Sequence, residues 1–311
     1  MGSVGEVICN RSMGKNEIMV IALTSKSRQA WDLFLDNSEN HGHAKRNLAG
    51  ENIDEHVLAC MCSSEAMARR VHHDIAGFEP AHILEVGSST GLNCYALQMA
   101  YPNAKVTGIE PEREAIMVAN AMITNGRAPM PKFIQGVGED IPLADRSVDL
   151  IICHTVMEHV QNVRKVINEF SRVLTDRGIV HLDAPNYLWP YEPHLQVWTI
   201  PKLGKRFVKF SAMVQGKTKM LGFIDHLQFV STFQLQRIFR ENGLTWENRA
   251  KKKLFDTING TAEIKKYKFA SSILFILGKL GVARFITAAV VRLGLYPSVM
   301  FTLRKSQTLE K

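Results

Sequence analysis

The sequence His82-Ile-Leu-Glu-Val-Gly-Ser-Ser-Thr-Gly91 joins a short apolar run to a turn of small residues. The run predicts a buried strand, and the apolar pattern from Leu92 to Ala100 predicts a helix directly after the turn. Small residues at such a turn let a ligand approach the backbone, and the first turn of the helix offers unpaired N–H groups. The stretch therefore predicts a ligand-binding turn at the end of a strand in an α/β fold.

The alternation of apolar runs and helical patterns continues outward from this turn. Further strands are predicted at 105–109, 132–135, 148–153 and 178–183, and further helices at 56–75, 113–124 and 163–174. Strands that are continuously apolar and separated by helices favour a parallel sheet covered on both faces. We predict an α/β fold with a doubly wound, Rossmann-like and mainly parallel sheet.

Four motifs, in this order, resemble those of the class I S-adenosylmethionine (SAM)-dependent methyltransferases. Glu85, Gly87 and Gly91 are in register with the family's acid-Gly-x-Gly-x-Gly motif, in which Ser89 replaces the middle glycine. Glu110 closes the second strand, where the family's acidic residue holds the ribose hydroxyls of the cofactor. One carboxylate that accepts two hydrogen bonds is well matched to two neighbouring hydroxyls.

The other two motifs follow the third and fourth strands. Residues 136–143 resemble the family's stretch around the adenine, with Val137 in place of the usual aspartate. Residues 154–160 contain a Glu-His signature that the family places behind the methionine part of SAM. The resemblance implies that SAM is the cofactor and that it is bound by Glu85, Gly87, Ser89, Gly91, Glu110, Gly138, Glu139 and His154.

A long insertion at about 184–230 is rich in proline and aromatic residues. Its first part, from Ala184 to His194, resembles a Pro-Asn-x-x-Trp-Pro-x-Glu-x-His segment of a bacterial branch of the family. Many members of that branch are associated with surface-glycan, lipid or secondary-metabolite pathways. Aromatic walls with a few polar groups suit a ring-bearing acceptor. The predicted acceptor-binding residues are Asn186, Tyr187, Trp189 and Glu192.

Three histidines are the candidates for catalysis: His154, His194 and His226. An alcohol acceptor benefits from a base near its proton, whereas a carboxylate or phosphate acceptor needs none. His194 suits either a base or an anchor for the acceptor. The alternatives are that His154 only lines the cofactor pocket and that the insertion is a rigid lid whose side chains bond each other.

The net charge of +8 is divided unevenly along the chain. Residues from Lys202 onward carry +15, and the residues before Lys202 carry −7. The basic part favours a polyanionic neighbour, which is a phospholipid surface, a phosphate-bearing acceptor or a nucleic acid. We predict an N-terminal extension at 1–50, a methyltransferase domain at 51–260, and a helical, apolar and basic tail at 261–311.

The apolar part of the tail, from Phe269 to Leu303, is interrupted by charges. Its longest charge-free stretch has eleven residues, which is below the roughly 20 residues needed to span a bilayer. Basic clusters on both sides of apolar segments are typical of an anchor at an anionic membrane surface. An oligomer interface or additional core is the alternative.

The five cysteines form no Cys-x-x-Cys pair. This favours a reducing compartment with reduced thiols and argues against structural zinc, and no metal site is predicted. The only apolar run near the N-terminus, Ile18 to Leu23, is too short for a secretory signal. We expect a cytoplasmic protein that is peripheral at the inner face of the membrane.

The predicted reaction is O-methylation of a glycan, lipid-linked or secondary-metabolite acceptor, by in-line displacement at the sulfonium of SAM. An RNA methyltransferase is one alternative, but no Asn-Pro-Pro-Tyr follows the fourth strand and no RNA-binding module is recognisable, so a nucleic-acid partner is not expected. A non-catalytic SAM-fold scaffold is another alternative, because Ser89 and Val137 depart from the family pattern.

Overall fold

The computed structural model describes residues 5–8, 20–37, 53–124, 130–258 and 283–306. Its strands are β1 Gly5–Ile8, β2 Val20–Leu23, β3 His82–Val86, β4 Lys105–Glu110, β5 Ile123–Thr124, β6 Lys132–Gln135, β7 Val148–His154, β8 Leu174–Pro185, β9 Tyr191–Glu192, β10 Val197–Trp198, β11 Leu244–Asn248 and β12 Ser298–Lys305. Its helices are α1 Ser25–Asn37, α2 Ile53–Asp74, α3 Leu92–Ala100, α4 Arg113–Ala121, α5 Val163–Val173, α6 Gly204–Val214, α7 Phe223–His226, α8 Thr232–Glu241, α9 Arg249–Ile258 and α10 Ala283–Leu293.

The main sheet contains seven strands in the order β11-β12-β8-β7-β3-β4-β6. Strand β3 pairs in parallel with β4 and β7, and β4 pairs in parallel with β6. Strands β11 and β12 are antiparallel, with Leu244 opposite Lys305 and Asn248 opposite Phe301. Two small sheets have the orders β1-β2-β5 and β10-β9. The predicted α/β fold with a mainly parallel, Rossmann-like sheet is therefore confirmed.

One compact unit comprises residues 1–153 and 162–180. Its core includes Trp31 and Phe34 of α1, which are each 2% exposed and meet edge to face at 5.8 Å between ring centroids. These positions and Leu35 lie on one face of a helix, and that face is buried. The predicted extension at 1–50 is therefore wrong for residues 25–37, which belong to the core.

The second compact unit comprises residues 154–161 and 181–311. Here the predicted helical tail is confirmed for α10 and wrong for 298–305, which form β12 of the main sheet. Val299, Phe301 and Leu303 are fully buried at alternate positions, which is the period of a strand and not of a helix. The first part of the predicted tail, residues 261–282, lies outside the described residues.

Two further findings concern membranes and cysteines. Within the described ranges, none of the helices combines the length and the apolarity that a membrane crossing requires. Cys60, Cys94 and Cys153 are free thiols, whereas Cys62 is disulfide-bonded. The expectation of reduced cysteines is therefore wrong at Cys62, because a disulfide depends on which cysteines the fold brings together and not on their sequence spacing.

Candidate active site

The turn between β3 and α3 adopts the shape that its small residues allow. Gly87, Ser89 and Gly91 all have positive φ angles, of 72°, 47° and 79°. The backbone N–H groups of Gly87 and Ser88 donate to the carbonyl of Ile109 at 2.8 and 3.0 Å, which ties the turn to β4. Ser89 thus enters the left-handed region, which residues with a Cβ atom disfavour, at a cost on the order of 1 kcal/mol.

The turn also requires glycine at its last position for reasons of space. A Cβ atom on Gly91 would lie 2.6 Å from Cζ of Phe133 and 2.9 Å from Cβ of Ala119. Gly108, on the neighbouring strand β4, is equally tight, because its Cβ would lie 2.6 Å from the hydroxyl oxygen of Ser88. Phe133 and the Ser88 side chain therefore hold the turn close against the sheet.

The carboxylate of Glu110 contacts the backbone of this turn. Its Oε2 accepts the backbone N–H of Ser89 at 2.8 Å, and its Oε1 accepts the N–H of Glu112 at 3.1 Å. Each carboxylate oxygen can accept more than one hydrogen bond. Glu110 is therefore fixed in orientation by the backbone.

Glu85 is the second-to-last residue of β3 and is 2% exposed. Its carboxylate accepts hydrogen bonds from Nδ2 of Asn93 at 2.8 Å and from the thiol of Cys94 at 2.9 Å. Burial raises the pKa of Glu85 to about 7, although these two hydrogen bonds act in the opposite direction. Glu85 thus anchors the first turn of α3, whose N-cap Gly91 provides no side-chain hydrogen bond.

The two residues predicted near the adenine have structural contacts. Gly138 is buried, and a Cβ there would lie 3.1 Å from Val86 and 3.4 Å from Val166. Oε1 of Glu139 accepts the N–H of Asn162, the residue that caps α5, at 3.1 Å. Close packing explains Gly138, and Glu139 supports the start of α5. Their contact with the adenine stays a prediction.

In the second unit, His154 is part of a buried polar network. Its Nε2 lies 2.7 Å from Nδ1 of His181, and Nη2 of Arg249 lies 3.3 Å from that same Nδ1. A guanidinium only donates, so His181 Nδ1 is the acceptor and His154 Nε2 carries the proton. Arg249 also donates to the carboxylate of Asp183 and to the carbonyls of Leu182 and Phe301.

This arrangement gives His154 and His181 different hydrogen-bonding patterns. His181 is fully buried, as expected for a satisfied core histidine. Because His154 uses Nε2 as a donor, its Nδ1 is an acceptor whenever the ring is neutral. Arg249, the residue that fixes these tautomers, had no sequence signal, since it lies 68 positions after His181 and outside every motif.

A second cluster in the same unit brings together Glu192 and His194. Glu192 is 1% exposed, and its Oε1 accepts Nδ1–H of His194 at 2.6 Å and the backbone N–H of His194 at 3.1 Å. The other oxygen, Oε2, accepts the N–H of Leu195 at 2.5 Å. The Glu192 carboxylate thus fixes the orientation of the His194 ring through Nδ1. Nε2 is the ring nitrogen that does not contact this carboxylate.

Glu158 and His159 of the Glu-His signature lie beside this pair. The Glu158 carboxylate is fully buried, neither of its oxygens has a hydrogen-bond donor among the described residues, and burial raises its pKa to about 7. Nε2 of His159 is 3.8 Å from Oε1 of Glu158, and the His159 ring meets the His194 ring edge to face at 5.4 Å. The signature therefore contributes two side chains to the cluster.

Tyr187 and Phe229 form an aromatic wall next to these carboxylates. Their rings are stacked at 4.3 Å between centroids. Burial raises the pKa of the Tyr187 hydroxyl, and the nearby carboxylates of Glu192 and Glu158 raise it further. Tyr187 is therefore a neutral hydroxyl at physiological pH, as an acceptor-positioning group requires.

Three further residues of the predicted site are Asn186, His226 and Trp189. Asn186 is 2% exposed, and its Nδ2 donates to the carbonyls of Gly294 and Tyr296, both at 2.7 Å. The buried amide thus joins the insertion to the segment before β12, and acceptor binding by Asn186 stays a prediction. His226 is exposed at the end of α7 and belongs to neither histidine cluster. Trp189 is partly exposed in the insertion.

Comparison with known proteins identifies the domain that contains the turn and the Glu-His signature. Residues 84–182 match a family model described as a methyltransferase domain. The chain carries a class I SAM-dependent methyltransferase domain. Its turn, its acidic strand end and its Glu-His signature are those of the methyltransferase motifs, and the resemblance recognised in the sequence is confirmed.

The curated relatives match only part of this chain. The human thiol S-methyltransferase TMT1B is 31% identical over 137 residues, which are 41% of this chain and 55% of that protein. The uncharacterized methyltransferase YcgJ of Bacillus subtilis is 25% identical over 145 residues, 47% of this chain and 51% of that protein. This chain therefore spans about half the length of the curated relatives it matches.

A solved structure is similar over a longer range. The plantazolicin methyltransferase BamL, in complex with a triazolic desmethylPZN analog and SAH, aligns with a TM-score of 0.51 and 13% identity. The alignment covers 91% of this chain and 96% of that chain. At this identity the likeness shows that the two proteins share a fold.

SAM is the cofactor of the methyltransferase domain, and the residues of the turn fit it. Glu110 presents a carboxylate that the backbone fixes in orientation, as the two ribose hydroxyls need. Gly87 and Ser89 are only partly covered, so a ligand can reach the backbone of the turn. The methyltransferase motifs predicted these residues from sequence. The orphaned carboxylate of Glu158 was missed, because burial without a partner is visible only in the fold.

Proposed function

We propose that this chain transfers the methyl group of SAM to a hydroxyl or thiol of a small-molecule acceptor. The observation that carries the proposal is the Gly87–Gly91 turn together with the backbone-fixed carboxylate of Glu110. When bound, SAM supplies a methyl group on a positively charged sulfur. The protein must then hold the nucleophile in line with that methyl group, so positioning supplies most of the catalysis.

The aromatic wall and the Glu192–His194 pair support a small-molecule acceptor site in the second unit. Tyr187 stacked on Phe229 offers a rigid apolar surface, and His194 is a polar group whose orientation Glu192 fixes. Apolar walls with a few oriented polar groups are typical of small-molecule sites. Tyr187 and Glu192 thus keep their predicted association with the acceptor, Glu192 through His194.

The proposed acceptor atom is an oxygen of a lipid-linked, glycan or secondary-metabolite molecule, and a thiol is the competing class. The thiol is considered because the human relative is a thiol S-methyltransferase. The natural-product class is considered because the structurally similar BamL is a plantazolicin methyltransferase. These two activities belong to those proteins, and they select the compounds to be tested.

Cofactor binding is tested by calorimetry with SAM on wild type and on Glu110→Gln. The variant loses the charge on the group that faces the ribose, and a hydrogen bond to a charged group is worth about 1.5–3 kcal/mol. We expect SAM to bind about 10- to 100-fold more weakly. The exposed Glu79→Gln is the control and should bind as wild type does. Absence of SAM binding by wild type would leave the scaffold alternative.

The acceptor class is tested by mass spectrometry. Extracts separated into polar lipids, glycans, low-molecular-weight thiols and RNA are incubated with SAM carrying a deuterated methyl group. We expect a labelled product in the lipid or glycan fraction that Glu110→Gln forms slowly. A labelled thiol would correct the acceptor atom, and a labelled RNA would replace the proposal by the RNA methyltransferase alternative.

We further propose that the protein binds an anionic membrane surface through the segment around α6. We call this the α6 surface. Its exposed apolar side chains are Trp198, Ile200, Leu203, Phe210, Met213 and Val214. Residues 198–219 also contain six Lys or Arg residues and no Asp or Glu. Clustered exposed apolar residues mark interaction sites, and basic charge beside them favours anionic lipid headgroups.

Vesicle flotation tests the α6 surface. Leu203, Phe210 and Val214 are spaced at i, i+7 and i+11, so they share one helical face. We expect wild type to float with vesicles of phosphatidylglycerol and phosphatidylcholine, and Leu203→Ser/Phe210→Ser/Val214→Ser to remain in solution. Leu33→Ser/Met117→Ser/Met130→Ser removes three apolar side chains elsewhere that are 40–50% exposed, and it should float. Equal flotation of both triple variants would contradict the proposal. The cytoplasmic location stays a prediction.

A further inference from the structure

The cluster around the Glu-His signature has the composition of a metal site. Glu158, His159 and His194 each offer one ligand atom, and these three atoms lie within 4.8 Å of one another. Ligand atoms about 2 Å from a tetrahedral Zn²⁺ lie roughly 3.3 Å apart. Small side-chain movements would therefore close the three groups around an ion.

The buried carboxylate of Glu158 is the first independent observation that points to a cation. It is fully buried and has no hydrogen-bond donor among the described residues, and Nε2 of His159 is 3.8 Å from its Oε1. A carboxylate removed from water without a partner is costly in free energy. A divalent cation bound to Glu158 would remove that cost.

The contact between Glu192 and His194 is the second observation. Histidines that bind metals usually donate their other ring N–H to a carboxylate or carbonyl, which fixes the tautomer and the ring orientation. Nδ1–H of His194 donates to Oε1 of Glu192 at 2.6 Å. The backbone N–H groups of His194 and Leu195 hold Glu192 in place. Nε2 is therefore the nitrogen with which His194 would bind an ion.

The other group of potential ligands in the described residues lacks these properties. His154, His181 and Asp183 are also close together, but the guanidinium of Arg249 donates to Asp183 and to His181. A fixed cation already occupies that position. The comparison favours the Glu158 cluster, whose Glu158 carboxylate has no hydrogen-bond donor among the described residues.

We propose that Glu158, His159 and His194 bind a divalent ion of the Zn²⁺ class, with Glu192 as the residue that orients His194. Two histidines and one carboxylate leave a fourth tetrahedral position for water or for an oxygen or sulfur atom of a ligand. An acceptor hydroxyl or thiol bound there would release its proton to solvent more readily. Metal binding goes beyond the proposed methyl transfer and does not depend on it.

The site is tested with full-length protein that has been stripped with a chelator and titrated with Zn²⁺. We expect one equivalent per chain by elemental analysis and by calorimetry. His159→Ala and Glu158→Gln should lose this equivalent. Glu158→Gln is of equal size and removes a buried charge, so it should remain folded by circular dichroism. Full occupancy in both variants, or no saturable binding by wild type, would overturn the proposal.

A matched histidine and the orienting carboxylate complete the test. His73 is an exposed histidine beside Asp74, with Nδ1 3.3 Å from Oδ1, and therefore resembles His159 beside Glu158. His73→Ala should bind one Zn²⁺ as wild type does. Glu192→Gln should keep the site and bind Zn²⁺ about 10- to 100-fold more weakly. Unchanged affinity in Glu192→Gln would contradict its orienting function.

Cobalt distinguishes this site from adventitious binding to the free cysteines Cys60, Cys94 and Cys153. Co²⁺ bound to nitrogen and oxygen ligands shows visible ligand-field bands, whereas thiolate ligands add intense charge-transfer absorption in the near ultraviolet. We expect the first spectrum alone, and we expect its loss in His159→Ala. A thiolate spectrum that persists in His159→Ala would place the ion elsewhere and overturn the assignment.

Discussion

Glu85 carries an ionisable group at one of the most buried positions of the methyltransferase domain, and this makes the stability of the fold depend on pH. Burial raises its pKa from 4.5 to about 7 in the folded protein. Between these values the folded state holds a proton that the unfolded state has lost. The contribution of Glu85 is therefore complete below about pH 4.5, falls as the pH rises, and is lost above about pH 7.

Glu85→Gln should remove this pH dependence. A shift of this size corresponds to a loss on the order of 3 kcal/mol across the window. We expect the free energy of unfolding by urea, compared at pH 4.5 and pH 8, to fall less in the variant than in wild type. The exposed Glu79→Gln should follow the wild-type curve. Parallel curves for wild type and Glu85→Gln would contradict the assignment.

At the scale of elements, two glycines distinguish the need for a positive φ angle from the lack of space for a Cβ atom. Gly91 has a φ angle of 79° and no space for a Cβ, whereas Gly77 has a φ angle of 80° and no atom within 4 Å of its Cβ position. Gly91→Ala should lose about 3 kcal/mol of stability from strain and overpacking together. Gly77→Ala should lose about 1 kcal/mol from strain alone.

Urea unfolding without cofactor measures this pair of variants. The ratio of the two losses is the informative quantity, because both substitutions place alanine at nearly the same φ angle. If the two variants were equally destabilised, Phe133 and Ala119 would not restrict the turn as the structure indicates. A larger loss in Gly77→Ala would contradict the steric account altogether.

The elements show what sequence patterns can and cannot determine. Strands β3, β4, β6 and β7 were predicted within one or two residues because continuous apolar runs between helical patterns have few alternative interpretations. The sequence predicts a tail where β12 forms. The strands that pair with β12 lie elsewhere in the chain, and apolar residues next to basic ones resemble an anchor. Pairing across long sequence separation is a property of the fold.

The same limit applies to the candidate site. Glu85, Gly87, Gly91 and Glu110 were found because their spacing is set by one strand-turn-helix unit and the strand beside it. The contacts of Asn186 could not be predicted, because its amide donates to backbone carbonyls more than one hundred positions later. Local spacing therefore predicted the strand-turn-helix unit, and the remaining contacts depend on residues that are distant in sequence.

At the scale of the whole molecule, the charge distribution predicts a salt-dependent interaction with membranes. The residues from Lys202 onward carry +15, and most of the α6 surface lies within them. Screening shortens the reach of such charges from about 10 Å at 0.1 M salt to about 3 Å at 1 M. We expect flotation with anionic vesicles to decrease over this range.

Vesicles of phosphatidylcholine alone serve as the control for salt. Binding to them depends on apolar contact, so it should be weak and should not decrease with salt. Flotation that is unchanged between 0.1 and 1 M salt would show that apolar insertion and not charge determines binding. Net charge would then have no part in the interaction.

The position of β12 in the main sheet has a consequence for how the protein is made. This strand lies between β11 and β8, yet it is synthesised after both of them. Until residues 298–305 leave the ribosome, β8 presents an edge without its final neighbour, and open strand edges promote association with other chains. A nascent chain that has already formed the turn between β3 and α3 therefore still needs protection from aggregation while β12 is translated.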